Sequence, residues 1–328
     1  MKNDSDVVCE MKSYNETVLV TAGAAYLDID AYACCVAMAQ LMQRKGMNAI
    51  AWSNAPCNYS VCDYLRKDAP ITASLPAGWD EKTVQFILVD ISDPAYLGPE
   101  VLPERVVGVI DHHVGFEEYW QSRIGKGCCI EFIGAAATLV YRQWKAAGLL
   151  SQMPSVTARL LIAAILDNTL NLTSPVTTQE DRDAFAQLCQ RENVGVHWCA
   201  DYFSQVQDGI EADLKNALFG DIKRVSGNSV LPPLVGQLSV WNVETLLRRL
   251  PQIKSWFAEE CQSWVLNLID IHQNCSYFVC DDSAYQKKLA KAFSVSFDAG
   301  VAKLPRAYLR KEIIKKTGAA NPAPKSDK

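Results

Sequence analysis

Four blocks of acidic and imidazole residues punctuate the first half of the chain: Asp28 with Asp30, then Asp90, then Asp111-His112-His113, then Asp167. Carboxylates with one or two imidazoles and no thiolate form a donor set suited to Mn²⁺ or Mg²⁺, with Co²⁺ and Zn²⁺ tolerated. Carboxylates gathered in one place repel one another and resist ionisation, a penalty that bound cations remove. Two such ions about 3.5–4 Å apart would acidify a shared water and neutralise charge on an attacked phosphate. The chemistry indicated is hydrolysis of a phosphate ester or anhydride, with Asp90, in the middle of the series, as the carboxylate that bridges the ions.

For these blocks to meet, the elements that carry them must end at one edge. Apolar runs predict strands over 17–21, 49–53, 84–89 and 106–110, and helical patterns cover 31–45, 135–147, 156–166 and 178–192. Continuous apolar strands separated by helices predict an α/β fold with a parallel sheet covered on both faces. Asp28 and Asp30 follow the first strand, Asp90 ends the third, and Asp111 to His113 end the fourth; Asp167 closes an apolar helix. In open parallel sheets the crevice beyond the carboxyl ends of the strands is where ligands bind. A second, smaller α/β domain with a mixed sheet is expected after residue 210, with strands at 236–240, 264–268 and 276–280 and a helix at 284–293. The expected boundaries are a metal-binding domain over 1–195, a linker over 196–210, a substrate-binding domain over 211–317 and a disordered tail over 318–328.

Composition narrows the setting. The chain has 328 residues, 49% hydrophobic and 21% charged, with a net charge of −5. That balance supports a sizeable core and argues against bulk affinity for nucleic acid or an acidic membrane surface. No stretch resembles an export segment or a membrane span, and the 12 Cys, with the neighbours Cys34–Cys35 and Cys128–Cys129, lack paired zinc-module spacing. These features predict a cytoplasmic protein with reduced thiols. His197 and His272 stand alone and are expected to be structural.

The order of the blocks resembles the DHH phosphoesterase superfamily. Within it, the branch of manganese-dependent family II inorganic pyrophosphatases and exopolyphosphatases is the most similar. The resemblance rests on Asp28-Ile29-Asp30-Ala31, Asp90, Asp111-His112-His113 and Asp167, supported by Gly134–Leu139, Thr173-Ser174-Pro175, Thr178-Gln179-Glu180-Asp181, Gly220-Asp221-Ile222-Lys223 and Leu309-Arg310-Lys311. It implies a DHH domain followed by a DHHA2-like domain, two Mn²⁺ ions (or Mg²⁺ or Co²⁺), and a small anionic substrate, inorganic polyphosphate or pyrophosphate. Asp28 and Asp90 would hold one ion; Asp30, Asp90, His112 and Asp167 would hold the other. Asp111 would orient the His pair, His113 would face the phosphate, and Lys223, Arg310 and Lys311 would grip the substrate. A homodimer through an edge strand is also compatible with the resemblance.

The first block departs from the pattern. Ala24 stands where pyrophosphatases place a metal-binding His, Tyr26 and Leu27 replace Asn-Pro, and Ile91 follows Asp90. One ion therefore loses a nitrogen ligand. Two other readings follow: a phosphodiesterase on short oligonucleotides or cyclic dinucleotides, disfavoured because the second half lacks a Gly-rich His loop, or a catalytically weakened nucleotide- or phosphate-binding regulator.

Overall fold

The computed structural model describes residues 16–75, 84–195, 197–225 and 230–318. The chain divides into two compact units, Met1–Tyr202 and Phe203–Lys328.

The first unit runs β1 (Thr17–Thr21), α1 (Ile29–Arg44), β2 (Ala49–Ala51), α2 (Asp63–Arg66), β3 (Val84–Val89), β4 (Val106–Asp111), α3 (Glu117–Ile124), β5 (Cys128–Ile130), α4 (Ala136–Ala146), α5 (Ser155–Asn168), α6 (Gln179–Glu192) and the start of α7 (Trp198–Ala212). Its five strands are all parallel, in the order β2-β1-β3-β4-β5. The chain moves outward from β1 to β2, then returns to the other side of β1 to lay down β3. The strand order therefore reverses between β1 and β3, and a crevice opens at their carboxyl ends. Strands β1, β3 and β4 are buried almost throughout, which explains their unbroken apolar sequence.

Helix α1 has no polar face because it is enclosed. Thirteen of its residues are buried. The Trp144 indole of α4 donates to Ala37 O at 3.0 Å, and Thr157 of α5 donates to Gln40 Oε1 at 2.5 Å. Two polar hubs tie the later helices to the sheet edge. Arg142 is held by Glu131 and by Glu180. Asp181 accepts from Gly134 N at 3.0 Å, Thr138 Oγ1 at 2.6 Å, and Thr178 N and Oγ1 at 2.7 Å. Gly134 is required there by close approach: a Cβ would lie 2.6 Å from Asp181 Oδ2 and 2.7 Å from Thr169 Cγ2. Gly134→Ala is expected to cost about 1–3 kcal/mol. Thermal unfolding should show a fall of several degrees, and an unchanged midpoint would remove Asp181 as a hub.

The second unit contains the rest of α7, α8 (Leu214–Gly220), β6 (Ile222–Arg224), β7 (Leu234–Val240), α9 (Glu244–Arg248), α10 (Leu250–Glu260), β8 (Trp264–Asp270), β9 (Cys275–Val279), α11 (Ser283–Phe293), β10 (Val301–Leu304) and α12 (Arg310–Thr317). Its sheet has the order β10-β9-β8-β7-β6 and is mixed: β7 and β8 are parallel and the other pairs antiparallel. Its core includes Leu231, Val235, Val265, Phe278, Leu289, Leu304 and Ile313.

The expected linker over 196–210 takes a different form. From Trp198 it is helical, and the boundary between units falls inside α7. Tyr202, Phe203, Val206 and Ile210 are buried at helical spacing, so this stretch packs as a helix and needs no Gly/Ser-rich joint. Val196 lies outside the described residues, as does the expected tail apart from Gly318, which caps α12 at φ 67°.

Candidate active site

Each acidic block is placed by the end of an element. Asp28 caps α1 and accepts from Ala31 N at 2.9 Å. Asp90 ends β3 in the left-handed region at φ 56°, which turns the chain sharply at the strand end. Asp111 ends β4, and Asp167 lies in the last turn of α5. Asp28, Asp30 and Asp90 follow the two strands that flank the reversal, so the crevice receives three of the carboxylates.

Asp90, His112 and His113 form the tightest group. Their ligand atoms lie within 4.8 Å of one another. His112 Nδ1 is 3.0 Å from Ile133 O, and a carbonyl can only accept, so Nδ1 carries the hydrogen. This leaves Nε2 facing Asp90 Oδ1 at 3.4 Å, with both side chains less than a tenth exposed. Asp90 Oδ1 is buried and accepts no hydrogen bond. A buried oxygen without a donor, set against a ring nitrogen oriented by a backbone carbonyl, fits a divalent cation.

The surrounding charges reinforce that fit. Burial, then repulsion from Asp30 and Asp28, pushes the Asp90 carboxyl well above its ordinary range. Burial raises Asp30 to about 6, with the charge of His112 opposing and that of Asp28 adding. Burial and the charge of Asp28 raise Asp167 to about 7, against a hydrogen bond from Tyr202 Oη at 3.1 Å. Asp28 thus lies within electrostatic reach of the other three carboxylates. Asp111 behaves oppositely. Burial alone would raise it, but His113 donates from Nδ1 at 2.9 Å and from its backbone N at 3.1 Å, and the carboxyl falls below its ordinary range. Burial would lower the His113 imidazole, yet Asp111 and Asp90 raise it. The His113 side chain is 59% exposed, and Asp111 takes up its Nδ1, so Nε2 is the ring nitrogen left for other partners.

Asp30 has a further attachment. It accepts from the backbone N–H groups of Ala136 and Ala137, both at 2.8 Å, at the start of α4, and from Asn168 Nδ2. Its oxygens are therefore engaged by the protein, and the α4 N-terminus offsets its charge. Sequence reasoning missed Asn168, Tyr202, Ile133 and Ser92, whose hydroxyl donates to His113 O at 3.1 Å. The run of small residues from Gly134 was the available signal: only small side chains let a helix start approach a buried carboxylate so closely.

In the second unit, Lys223 on β6 and Arg310 at the start of α12 come together. Burial and then the charge of Arg310 lower the Lys223 amine. Asp221 holds the Arg310 guanidinium through its carbonyl at 2.6 Å and its carboxylate at 2.5 Å, and Arg310 N donates to Gln237 Oε1 at 2.6 Å. Lys311 is exposed.

No family model matches the chain. A protein of Deinococcus radiodurans named probable manganese-dependent inorganic pyrophosphatase is 25% identical, over 90% of this chain and 96% of that one. A protein of the same name from Streptococcus pyogenes is 26% identical, over 77% of this chain and 80% of its own length. Among solved structures, one from Methanococcus jannaschii described as a family II inorganic pyrophosphatase superposes with a TM-score of 0.61, 17% identity and coverage of 91% and 97% of the two chains. An exopolyphosphatase-related protein from Bacteroides fragilis superposes with a TM-score of 0.50, 11% identity and coverage of 92% and 90%. With sequence similarity over nine-tenths of its length and a shared two-domain fold, the chain is a homologue of the manganese-dependent inorganic pyrophosphatases, the branch of the DHH superfamily that its motifs resemble.

Proposed function

We propose that the chain is a manganese-dependent phosphohydrolase that cleaves a phosphoanhydride bond, with the metal held by the first unit. The carrying observation is the buried, unpartnered Asp90 Oδ1 opposite His112 Nε2 at the strand-order reversal. Asp90 and His112 form the nucleus of the metal site, and Asp28, Asp30 and Asp167 complete its negative charge. When bound, divalent ions supply positive charge for the phosphate oxygens and acidify a water. Asp111 fixes the His113 ring, so that Nε2 can pass a proton to the departing phosphate. Lys223 and Arg310 offer a point charge and a fork for phosphate oxygens.

No nitrogen ligand is available at Ala24, whose backbone N donates to Tyr96 O at 3.0 Å. The test is phosphate release by metal-stripped protein given Mn²⁺, Mg²⁺ or Co²⁺ with pyrophosphate or tripolyphosphate. Metal-dependent release, lost in Asp111→Ala, is the expected result; none with any ion sinks the reading. Arg310→Lys is expected to raise KM for the anhydride about tenfold with less effect on kcat, because an ammonium cannot reproduce the fork. Initial-rate kinetics check it, and an unchanged KM would detach Arg310 from substrate.

A further inference from the structure

Large apolar side chains left exposed among the described residues are Tyr26, Tyr64, Tyr96, Val114 and Phe132. All lie in the first unit, and four occupy one kind of position. Tyr26 follows β1 and precedes Asp28 by two residues. Tyr96 follows β3 and Asp90. Val114 is next to His113, and Phe132 follows β5 beside Ile133, whose carbonyl orients His112. Each loop that leaves the carboxyl end of β1, β3, β4 or β5 thus brings one exposed apolar group to the edge that holds the candidate metal cluster. The loops are joined: Ala24 N donates to Tyr96 O at 3.0 Å, and Glu131 N donates to Asp111 O at 3.1 Å. Phe132 at 64% and Tyr96 at 62% are the most exposed.

Exposed single apolar residues are ordinary on a protein surface, but here four of the five follow strand ends at the one edge where a ligand of the cluster would enter. Inorganic pyrophosphate offers nothing for such a rim to touch, since every peripheral atom is a charged or anhydride oxygen. A protein partner seated permanently at this edge would cover the cluster. The occupant compatible with both features carries a phosphate chain at one end and a flat apolar group at the other. Three of the four rim residues are aromatic, and aromatic rings stack on nucleobases with little sequence preference.

We infer that the natural substrate is an organic phosphoanhydride of the nucleoside diphosphate class, with its phosphates at the Asp/His cluster and its base on the rim formed by Tyr26, Tyr96 and Phe132. This rests on the phosphohydrolase reading above. In the reaction, water adds to the terminal phosphorus and the anhydride P–O bond breaks. Nucleoside monophosphate leaves with the bridging oxygen, and inorganic phosphate and a proton are released. The net charge of −5 does not oppose such a ligand, because cations at the cluster supply the local charge.

The experiment compares ADP and GDP with pyrophosphate, using the full chain loaded with Mn²⁺, in the wild type and in Tyr96→Ser, Phe132→Ser and the double variant. Calorimetry measures ADP binding to the same proteins loaded with Ca²⁺. Both positions are exposed, so the variants are expected to fold normally. The inference expects a higher kcat/KM for the nucleotides than for pyrophosphate. Each substitution should lower the nucleotide value from about 5-fold to about 100-fold and leave the pyrophosphate value unchanged. Equal or better turnover of pyrophosphate, with nucleotide kinetics indifferent to the variants, overturns it. Should no substrate turn over with any metal, the phosphohydrolase reading fails; ADP binding weakened by the variants would still support the rim as a base site, and absent or unaltered binding would overturn it. Sedimentation that changes in the variants without any nucleotide effect would assign the rim to self-association and overturn it likewise.

Discussion

Asp90→Asn is expected to make the metal-free protein more stable and the metal-loaded protein inactive. Its carboxylate is buried, its Oδ1 accepts no hydrogen bond, and Asp30 and Asp28 repel it. Removing the charge relieves those penalties, so thermal unfolding without metal should shift upward by several degrees. The same change replaces the anionic carboxylate that faces His112 Nε2 at 3.4 Å with a neutral amide, a far weaker ligand for a cation. Outer-shell substitutions at metal sites typically cost 10–100-fold, and loss of the carboxylate proposed above as a direct ligand should exceed about 100-fold in metal-dependent phosphate release. Asn is the informative replacement because residue 90 sits at φ 56°, a conformation that Asn tolerates and Ala resists. An Ala variant would mix backbone strain with loss of charge. Parallel losses of stability and activity in the Asn variant would show that the carboxylate supports the fold and not a cation.

The second large effect is a pH dependence that metal erases. Asp30 is raised to about 6 and Asp167 to about 7, both from an ordinary 3.8. The native state therefore holds protons that the unfolded chain has lost across this interval. Stability must then fall as pH rises from about 4 to about 7, the reverse of a salt-bridged carboxylate. His113, raised by Asp111, adds in the same direction, because its favourable charge is lost as pH rises through its folded value. Asp111, lowered by His113, acts only in more acidic solution. At about 1.4 kcal/mol per unit, the raised carboxyls amount to several kcal/mol as an upper bound. Denaturant unfolding at pH 5.5 and pH 8 should show the metal-free protein less stable at the higher value, and saturating Mn²⁺ should flatten or invert the difference. A metal-free protein that gains stability toward pH 8 would contradict the clustering of these carboxyls.

The chemistry was more legible than its scaffolding. Strands β1, β3 and β4 announced themselves because burial on both faces demands unbroken apolar runs, and acids at their ends stood out against them. Strand β5 has three residues and reads as a fragment of loop; β6 and β10 are also short, edge-lying and half-exposed. The sheet order, which sets β1 beside β3 and so gathers three carboxylates, is a property of pairing that no local pattern carries. The residues that hold the site were hidden for a related reason. The N–H groups of Ala136 and Ala137 have no side-chain signature, and Asn168 gains meaning only by reaching Asp30. The segment read as a joint between domains is a helix, since Tyr202, Phe203, Val206 and Ile210 bury at helical spacing.

The reach of Asn168 to Asp30 has a consequence for how the protein is made. The two residues are 138 positions apart, and Tyr202, which donates to Asp167, comes later still. At ribosomal speeds of about 5–20 residues per second, the Asp30 end of that pair waits on the order of ten seconds for the other. A chain released early would carry Asp28, Asp30, Asp90 and the imidazoles without the groups that fix them in place. On the metal site proposed above, a truncated nascent chain would hold an ion less well than the finished first unit, and a ribosome-stalled fragment ending before Asp167 should show weaker Mn²⁺ binding than the full chain.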